Sequence, residues 1–276
     1  MEWILKTWRY VPAPVRLSII SVVQRNKRLY RWLLFRHVDA KDRAGGGNGL
    51  PPAELRYRVS STPDAEEFVA IGKRCASDIQ NALTRVGRDL RSFKHILDFG
   101  CGCGRTLIHL KDLAPNAELQ GADIDARAIE WCKRHLTFAG FKVSSETPPV
   151  DYPSDSFDLV YAISVFTHLD ENYQFRWLEE LRRIAKPGAI VLLTVDSSLV
   201  GDQDFVFHRS YEEGLFPAWY QNAYHSRKYV IDNFGRYFDV VDYFAKGMNA
   251  HQDVVMLRKT YPQITQITQM SLKESV

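Results

Sequence analysis

The 276-residue sequence is long enough for one large domain, or for one domain with an appendage. Its 45% apolar and 25% charged residues are ordinary for a soluble globular protein, and its net charge of +3 gives no case for nucleic-acid binding. Four scattered cysteines exclude a disulfide framework and favour a reduced, cytoplasmic location, and no stretch approaches the roughly 20 apolar residues of a membrane-spanning helix.

The N-terminal segment, residues 1–37, alternates apolar and basic side chains. Residues 1–45 hold ten Lys or Arg against three Asp or Glu, so they carry +7 while the rest of the chain carries −4. The pattern predicts one or two amphipathic helices, broken near Pro12 and Pro14. Two interpretations stay open: peripheral contact with an anionic membrane through residues 1–37, or a helical appendage that packs on the domain or on a partner.

A Gly-rich linker at residues 45–49, followed by Pro51 and Pro52, predicts a boundary near residue 50. Residues 51–262 are expected to form an α/β domain, with a flexible tail at 263–276. Helices are predicted at 63–90 (capped by Asp64), 104–113, 126–138, 171–185 and 226–234. Strands are predicted at 95–99, 118–123, 157–163, 189–195, 237–243 and 252–258. This alternation indicates a doubly wound, mostly parallel sheet, with an antiparallel last strand because too few residues precede it for a parallel crossover.

Three glycines at two-residue spacing, Gly100, Gly102 and Gly104, follow the short apolar run Ile96-Leu97-Asp98. A strand, a glycine loop and a helix in this order let a nucleotide-type ligand touch the backbone. A dinucleotide site expects its third glycine one residue later, where this chain has Arg105. The loop therefore predicts a ligand without a pyrophosphate.

Asp123 ends the next predicted strand, in the run Gly121-Ala122-Asp123-Ile124-Asp125. A carboxylate at this distance after a glycine loop can accept hydrogen bonds from both hydroxyls of a ribose. Asp125 is predicted instead to cap the helix that follows.

Together these residues resemble the class I S-adenosylmethionine-dependent methyltransferases. Residues 98–104 match the first motif of that family, and Asp123 falls on its ribose-binding acid. Residues 157–169 resemble its fourth strand and the loop after it, and residues 181–188 the turn before its fifth strand. The resemblance, which covers about residues 65–260, implies a Rossmann-like fold with a seven-stranded sheet whose seventh strand is antiparallel.

S-adenosyl-L-methionine is the cofactor that the resemblance implies. Its methionine end should lie at the glycine loop with its amino group near Asp98, its ribose at Asp123, and its adenine against Ile124 with Ser145 or Glu146 at the ring edge. The expected cofactor-binding residues are Asp98, Gly100, Cys101, Gly102, Gly104, Arg105, Asp123, Ile124, Ser145 and Ser164.

The acceptor side is less defined. The aromatic-rich stretch 197–225 is predicted to be a lid over the acceptor, with a surface insertion that has its own small core as the alternative. His168, after the fourth strand, is a candidate base or acceptor-orienting residue, and His251 lies at the predicted mouth of the sheet. The candidate substrate-binding residues are Tyr57, Arg58, Trp219, Tyr220, Asn222 and His225.

The predicted activity is methyl transfer from S-adenosylmethionine to a small or medium organic acceptor by in-line displacement. A general base is needed only where the acceptor is protonated at neutral pH, so the family resemblance fixes no catalytic residue. The alternatives are an NAD(P)-dependent oxidoreductase and a non-catalytic, S-adenosylmethionine-binding regulatory or scaffold protein. No metal is predicted, because Cys101 and Cys103 lack further ligands.

Overall fold

The computed structural model divides into two compact units, one ending at Phe68 and the other beginning at Val69. In the described residues, the first unit is helical and the second is an α/β structure. The boundary near residue 50 that the sequence indicates stays a prediction. The residues that the structure describes are 12, 26–45, 49–208 and 221–260.

The N-terminal unit contains helix α1 (Lys27–Ala44) and helix α2 (Ala53–Ser60). Arg56 of α2 is almost completely buried and pairs with the Asp42 carboxylate of α1 at 2.6 Å. Its Nε also donates to the carbonyl of Pro63 at 2.8 Å. The ion pair binds α2 to α1, and the Pro63 contact fixes the chain that follows α2.

The second unit supplies the remaining elements. Its α-helices are α3 (Ala65–Arg85, most of which belongs to this unit), α4 (Ala126–His135), α5 (Glu171–Ile184) and α6 (Arg227–Phe234). Short 3-10 helices lie at Leu90–Ser92, Leu107–Leu113 and Phe166–His168. Its strands are β1 (His95–Phe99), β2 (Glu118–Asp123), β3 (Gly140–Val143), β4 (Phe157–Ala162), β5 (Ala185–Val195), β6 (Phe205–His208), β7 (Asn222–His225), β8 (Asp239–Met248) and β9 (Gln252–Arg258). None of the helices in the described part of the chain is long and apolar enough to cross a membrane.

A seven-stranded sheet forms the centre of this unit, in the order β3-β2-β1-β4-β5-β9-β8. The pairs from β3 to β5 are parallel, and β9 runs antiparallel to both of its neighbours. The predicted doubly wound sheet with an antiparallel last strand is therefore confirmed, and so are the N-terminal helices. Because the parallel strands share one direction, the carboxyl ends of β1, β2 and β4 meet at one edge of the sheet, where ligands bind in such folds.

A large apolar core covers one face of the sheet. Buried side chains that alternate along the strands, such as Leu97 and Val160, pack with Trp177 of α5 and Phe234 of α6. Alternation places Asp98 of β1 and its register partner Tyr161 of β4 on the opposite face. The period-2 pattern that predicted the strands thus also decides which side chains leave the core.

Three features of the second unit differ from the sequence prediction. β3 was not predicted, because its four residues give too short a pattern. The segment after the glycine loop is a 3-10 helix and not an α-helix. The predicted lid, 197–225, contributes the antiparallel pair β6 and β7, and the residues between them, 209–220, lie outside the described part.

Candidate functional site

The glycine loop, residues 100–104, leaves the carboxyl end of β1 and is fastened to the end of β2. The amides of Gly100 and Cys101 both donate to the carbonyl of Ala122, at 2.7 and 3.1 Å. The end of β2 therefore fixes the path of the glycine loop that follows β1.

Left-handed backbone and lack of space explain the glycines in this loop. The φ angles of Gly100, Gly102 and Gly104 are +80°, +53° and +78°. Side chains are disfavoured in this region. A Cβ on Gly100 would also lie 2.2 Å from Val165 Cγ2, because Val165, in the loop after β4, lies close to Gly100.

Asp123 and Asp125 have separate partners at the end of β2. The Asp123 carboxylate accepts hydrogen bonds from the Gly102 amide and from the Asp125 amide, both at 2.7 Å. The Asp125 side chain accepts from the Arg127 amide at 3.0 Å and so caps α4. Ile124 between them is half-buried. Asp123 is thus the acid that faces the glycine loop.

Asp98 places a buried carboxyl beneath the loop, with only 4% of the residue exposed. Burial raises its pKa to about 7, while the Tyr161 hydroxyl and the Arg105 guanidinium favour the charged form and oppose this rise. The Tyr161 hydroxyl lies beside the carboxyl but is buried without a partner of ordinary hydrogen-bond geometry. A desolvated, incompletely compensated carboxyl of this kind favours a cationic ligand group.

Ser164 and Ser145 each follow a strand that ends at this edge. Ser164 has a φ of +60°, and it is held there because its amide donates to Thr194 Oγ1 at 2.8 Å and its hydroxyl to Gln252 Oε1 at 3.0 Å. Left-handed backbone at a non-glycine residue is costly and is often found at functional sites. Ser145, after β3, is exposed, and its hydroxyl donates to the carbonyl of Thr147.

His168 lies in the 3-10 helix after β4, with its Nδ1 2.7 Å from the carbonyl oxygen of Gln221. A carbonyl only accepts, so Nδ1 carries the hydrogen and Nε2 is the unprotonated ring nitrogen. Burial lowers the pKa of His168 to about 4, which keeps the ring neutral at pH 7. The contact therefore assigns the Nδ1–H tautomer to the neutral ring of His168.

His225 has a different environment, which corrects its predicted contact with substrate. The residue is completely buried, and its Nε2 donates to Gln174 Oε1 at 2.9 Å. Gln174 in turn donates to the carbonyls of Phe166 and Leu169, at 3.2 and 2.9 Å. Burial lowers the pKa of His225 to about 3. Because its ring is enclosed, His225 packs β7 against the loop after β4 instead of facing an acceptor.

Two further predicted residues lie on the segments that end at the same edge. His251, in the turn between β8 and β9, has 69% of its side chain exposed, and its Nε2 is 4.0 Å from Asp196 Oδ2. Asn222 begins β7 opposite His208 and is half-buried.

The remaining predicted substrate residues are not brought to this edge by the described part of the second unit. Tyr57 and Arg58 belong to α2 in the N-terminal unit, where the Tyr57 ring lies 5.5 Å from that of Phe35. Trp219 and Tyr220 lie outside the described residues.

The sequence reasoning missed Gln174 and Tyr161. Gln174 had a readable signal, because it occupies an apolar position of α5, three, four and seven residues before Trp177, Leu178 and Leu181. A polar residue in an apolar stripe indicates a buried hydrogen-bond network. Tyr161 had no such signal, since its place beside Asp98 depends on strand register.

The cysteines near the loop are buried thiols. Cys101 Sγ and Cys132 Sγ each lie 3.6 Å from the carbonyl oxygen of Gly102. Burial raises the pKa of Cys103 to about 12. In the described ranges, no three His, Cys, Asp or Glu side chains are grouped so that they could hold a metal ion.

Comparison with known proteins agrees with this geometry. Residues 97–191 match the family described as "Methyltransferase domain". A fatty-acid O-methyltransferase of Mycolicibacterium smegmatis is 28% identical over 102 residues, 37% of this chain and 36% of that protein. A tRNA (carboxymethyluridine(34)-5-O)-methyltransferase of Arabidopsis thaliana is 32% identical over 148 residues, 50% of this chain and 35% of that protein. The chain thus spans about a third of the length of these curated relatives.

The fold is shared with a solved structure, Burkholderia thailandensis 1,6-didemethyltoxoflavin-N1-methyltransferase. The two agree with a TM-score of 0.52 at 18% identity, over 69% of this chain and 79% of the other. The matched family segment contains the last three residues of β1, the glycine loop and Asp123. Residues 97–191 thus match a methyltransferase-domain family, and the strand order agrees with the resemblance to the class I S-adenosylmethionine-dependent methyltransferases.

Proposed function

We propose that the protein transfers a methyl group from S-adenosyl-L-methionine to a small or medium organic acceptor by in-line displacement. The observation that carries the proposal is the hydrogen bond between the Asp123 carboxylate and the Gly102 amide, at 2.7 Å. This hydrogen bond joins a carboxylate at the end of β2 to the backbone of the glycine loop after β1. This pairing suits a nucleoside whose ribose and adjoining chain lie across two strand ends.

The chemistry of these side chains fits the groups of the cofactor. Asp98, whose pKa is raised by burial, would gain from an ammonium group beside it. Asp123 would accept from the ribose hydroxyls, Ile124 would pack against the adenine, and Ser145 would lie at its edge. With them, the proposed cofactor-binding residues are Gly100, Cys101, Gly102, Gly104, Arg105 and Ser164.

The protein contributes mainly by positioning. When bound, S-adenosylmethionine supplies an activated methyl group on a sulfonium, so alignment of the acceptor provides much of the rate acceleration. His168 is the proposed base, because it follows β4 at the edge of the sheet where the parallel strands end and because its ring is neutral at pH 7. We further propose that the segment 197–225 covers the acceptor.

The acceptor class is supported by charge. Relatives of this chain are named for a fatty acid and for a tRNA, so their names do not agree on an acceptor. The residues after position 45 carry a net charge of −4. A negative domain is poorly suited to a polyanion such as RNA, whose binding relies on Lys and Arg. We therefore propose a small organic molecule.

Cofactor titration tests the donor side of this proposal. S-adenosylhomocysteine should raise the melting temperature of the full chain, and NAD should not. Asp123→Ala should weaken binding by more than about tenfold, since a hydrogen-bond acceptor for buried polar groups is lost. Asp125→Ala is the matched control: it removes the cap of α4, at a cost of about 1 kcal/mol, and should leave affinity nearly unchanged. Stabilisation by NAD alone would indicate an oxidoreductase and overturn the proposal.

Turnover tests the acceptor side. The chain is incubated with methyl-labelled S-adenosylmethionine and a small-molecule cell extract, and labelled products are followed by mass spectrometry. His168→Ala should slow the labelling by about 100-fold, the typical contribution of a general base. His251→Ala, which changes an exposed ring, should slow it far less. Cofactor binding without any labelled product would instead support a non-catalytic, regulatory protein.

A further inference from the structure

Helix α1 has two apolar faces, and the described residues cover only one of them. The inner face packs on α2: Phe35 is buried with Ala53, and Leu34, Val38 and Tyr57 pack against them. The outer face, which we define as Leu29, Trp32, Leu33 and Arg36, follows the helical spacing i, i+3, i+4 and i+7. Leu29, Trp32 and Leu33 remain 40%, 52% and 41% exposed.

The charges of α1 are divided between the same two faces. Both of its acids point toward α2: Asp39 accepts from the Ala53 amide at 2.7 Å, and Asp42 pairs with Arg56 at 2.6 Å. On the outer face the Arg36 guanidinium lies 4.8 Å from the centroid of the Trp32 ring. The helix contains six Lys or Arg against these two acids. Both acids of α1 are therefore paired with α2, and the net charge of the helix is positive.

A surface that combines leucines, an aromatic ring and surplus arginine is suited to the interface of an anionic bilayer. Apolar side chains enter the boundary between headgroups and acyl chains, and Lys and Arg pair with anionic headgroups. Tryptophan is favoured at this depth because its ring is amphipathic. A second copy of the chain is a poorer occupant, because pairing two outer faces would bring like charges together.

We propose that the outer face of α1 docks the protein on the surface of an anionic membrane. The contact is peripheral and belongs to the N-terminal unit. It does not depend on the proposed methyl transfer, because none of its residues is among those proposed to bind the cofactor or the acceptor.

Vesicle sedimentation with the full chain tests this surface. The protein should bind vesicles of phosphatidylcholine with about one-third phosphatidylglycerol, bind phosphatidylcholine alone much less, and be released by added salt. The double variant Leu29→Gln/Leu33→Gln should bind at least tenfold more weakly. Arg36→Glu should bind about fivefold more weakly or worse, as expected when a charge near the surface is lost.

The matched control is Ile231→Gln, which changes an exposed apolar residue of the second unit. It should bind like the unchanged protein, and all variants should keep their thermal shift with S-adenosylhomocysteine. The proposal is overturned if the control loses as much vesicle binding as the outer-face variants do. It is also overturned if the protein binds neutral vesicles as strongly as anionic ones. A mass of two copies by light scattering that returns to one copy in Leu29→Gln/Leu33→Gln assigns the face to self-association and also overturns it.

Discussion

On the donor side of the site, at the ends of β1 and β2, main-chain groups make most of the anchoring contacts. The amides of Gly100 and Cys101 share the Ala122 carbonyl, and the Gly102 amide donates to Asp123. On the acceptor side, after β4, side chains join separate segments instead, as His168 does with the Gln221 carbonyl and Gln174 with His225.

The contrast has a physical basis. A main-chain amide at a strand end is fixed by the sheet, so the shape of the donor side depends on few side-chain identities. On the acceptor side, each contact depends on one side chain that spans two loops, so a single substitution can rearrange it. We expect donor-side changes to act on cofactor affinity, and acceptor-side changes to act on turnover. The following experiments test this separation.

The largest expected effect is that of Gly100→Ala. The added Cβ would lie 2.2 Å from Val165 Cγ2 at a φ of +80°, so strain and overpacking act together. We expect the free energy of unfolding to fall by about 4 kcal/mol in urea titrations, with loss of S-adenosylhomocysteine binding. Gly87→Ala is the matched control, because Gly87 has a φ of +69° but nothing within 4 Å. It should lower the free energy of unfolding by only about 1–2 kcal/mol. Equal losses in the two variants would show that Val165 moves away from the added Cβ and that the overpacking costs nothing.

Gln174→Leu should have a smaller effect, confined to the acceptor side. It leaves the His225 N–H and the carbonyls of Phe166 and Leu169 without their partner, which should lower the free energy of unfolding by at least about 2 kcal/mol. Labelling of extract acceptors should fall, while cofactor affinity stays within about twofold. Gln80→Leu, which removes the two side-chain hydrogen bonds of Gln80 with the Leu90 amide and the Thr84 hydroxyl, serves as control. Cofactor affinity reduced as far as in Asp123→Ala would contradict the separation of the two sides.

The smallest expected effect is a pH dependence from Asp98. With its pKa raised to about 7, this carboxyl must lose a proton to receive an ammonium group, so cofactor affinity should fall as pH drops. Between pH 7.5 and 6 we expect a loss of about tenfold by calorimetry, with little gain above about pH 8, where an α-amino group loses its own proton.

The same shift has the opposite consequence for the unliganded protein. Its free energy of unfolding should fall as pH rises from about 4 to about 7, because the folded state holds the Asp98 proton more tightly than the unfolded state does. Asp98→Asn should remove the pH dependence of cofactor affinity and that of the free energy of unfolding. A pH profile of affinity that is unchanged in this variant would assign the titration to another group.

The sequence predicted β1, β2 and the cap at Asp125 because local patterns determine them. The strand limits, the glycine spacing and the separate contacts of Asp123 and Asp125 depend on residues close together in the chain. The pairing of Asp98 with Tyr161 depends on register between β1 and β4, and the enclosure of His225 depends on Gln174, 51 residues away. Such long-range contacts have no local pattern, which is why His225 was predicted as a substrate residue.

The position of β9 bears on how the protein is made. This strand, Gln252–Arg258, lies between β5 and β8 and is almost entirely buried. During synthesis, β1 to β5 emerge from the ribosome well before β9. The edge of β5 that pairs with β9 is therefore unpaired during this interval. An exposed apolar strand edge favours pairing with other chains. We infer that the nascent chain is most prone to aggregate in this interval, and that a chaperone acting on it would bind until β9 is released.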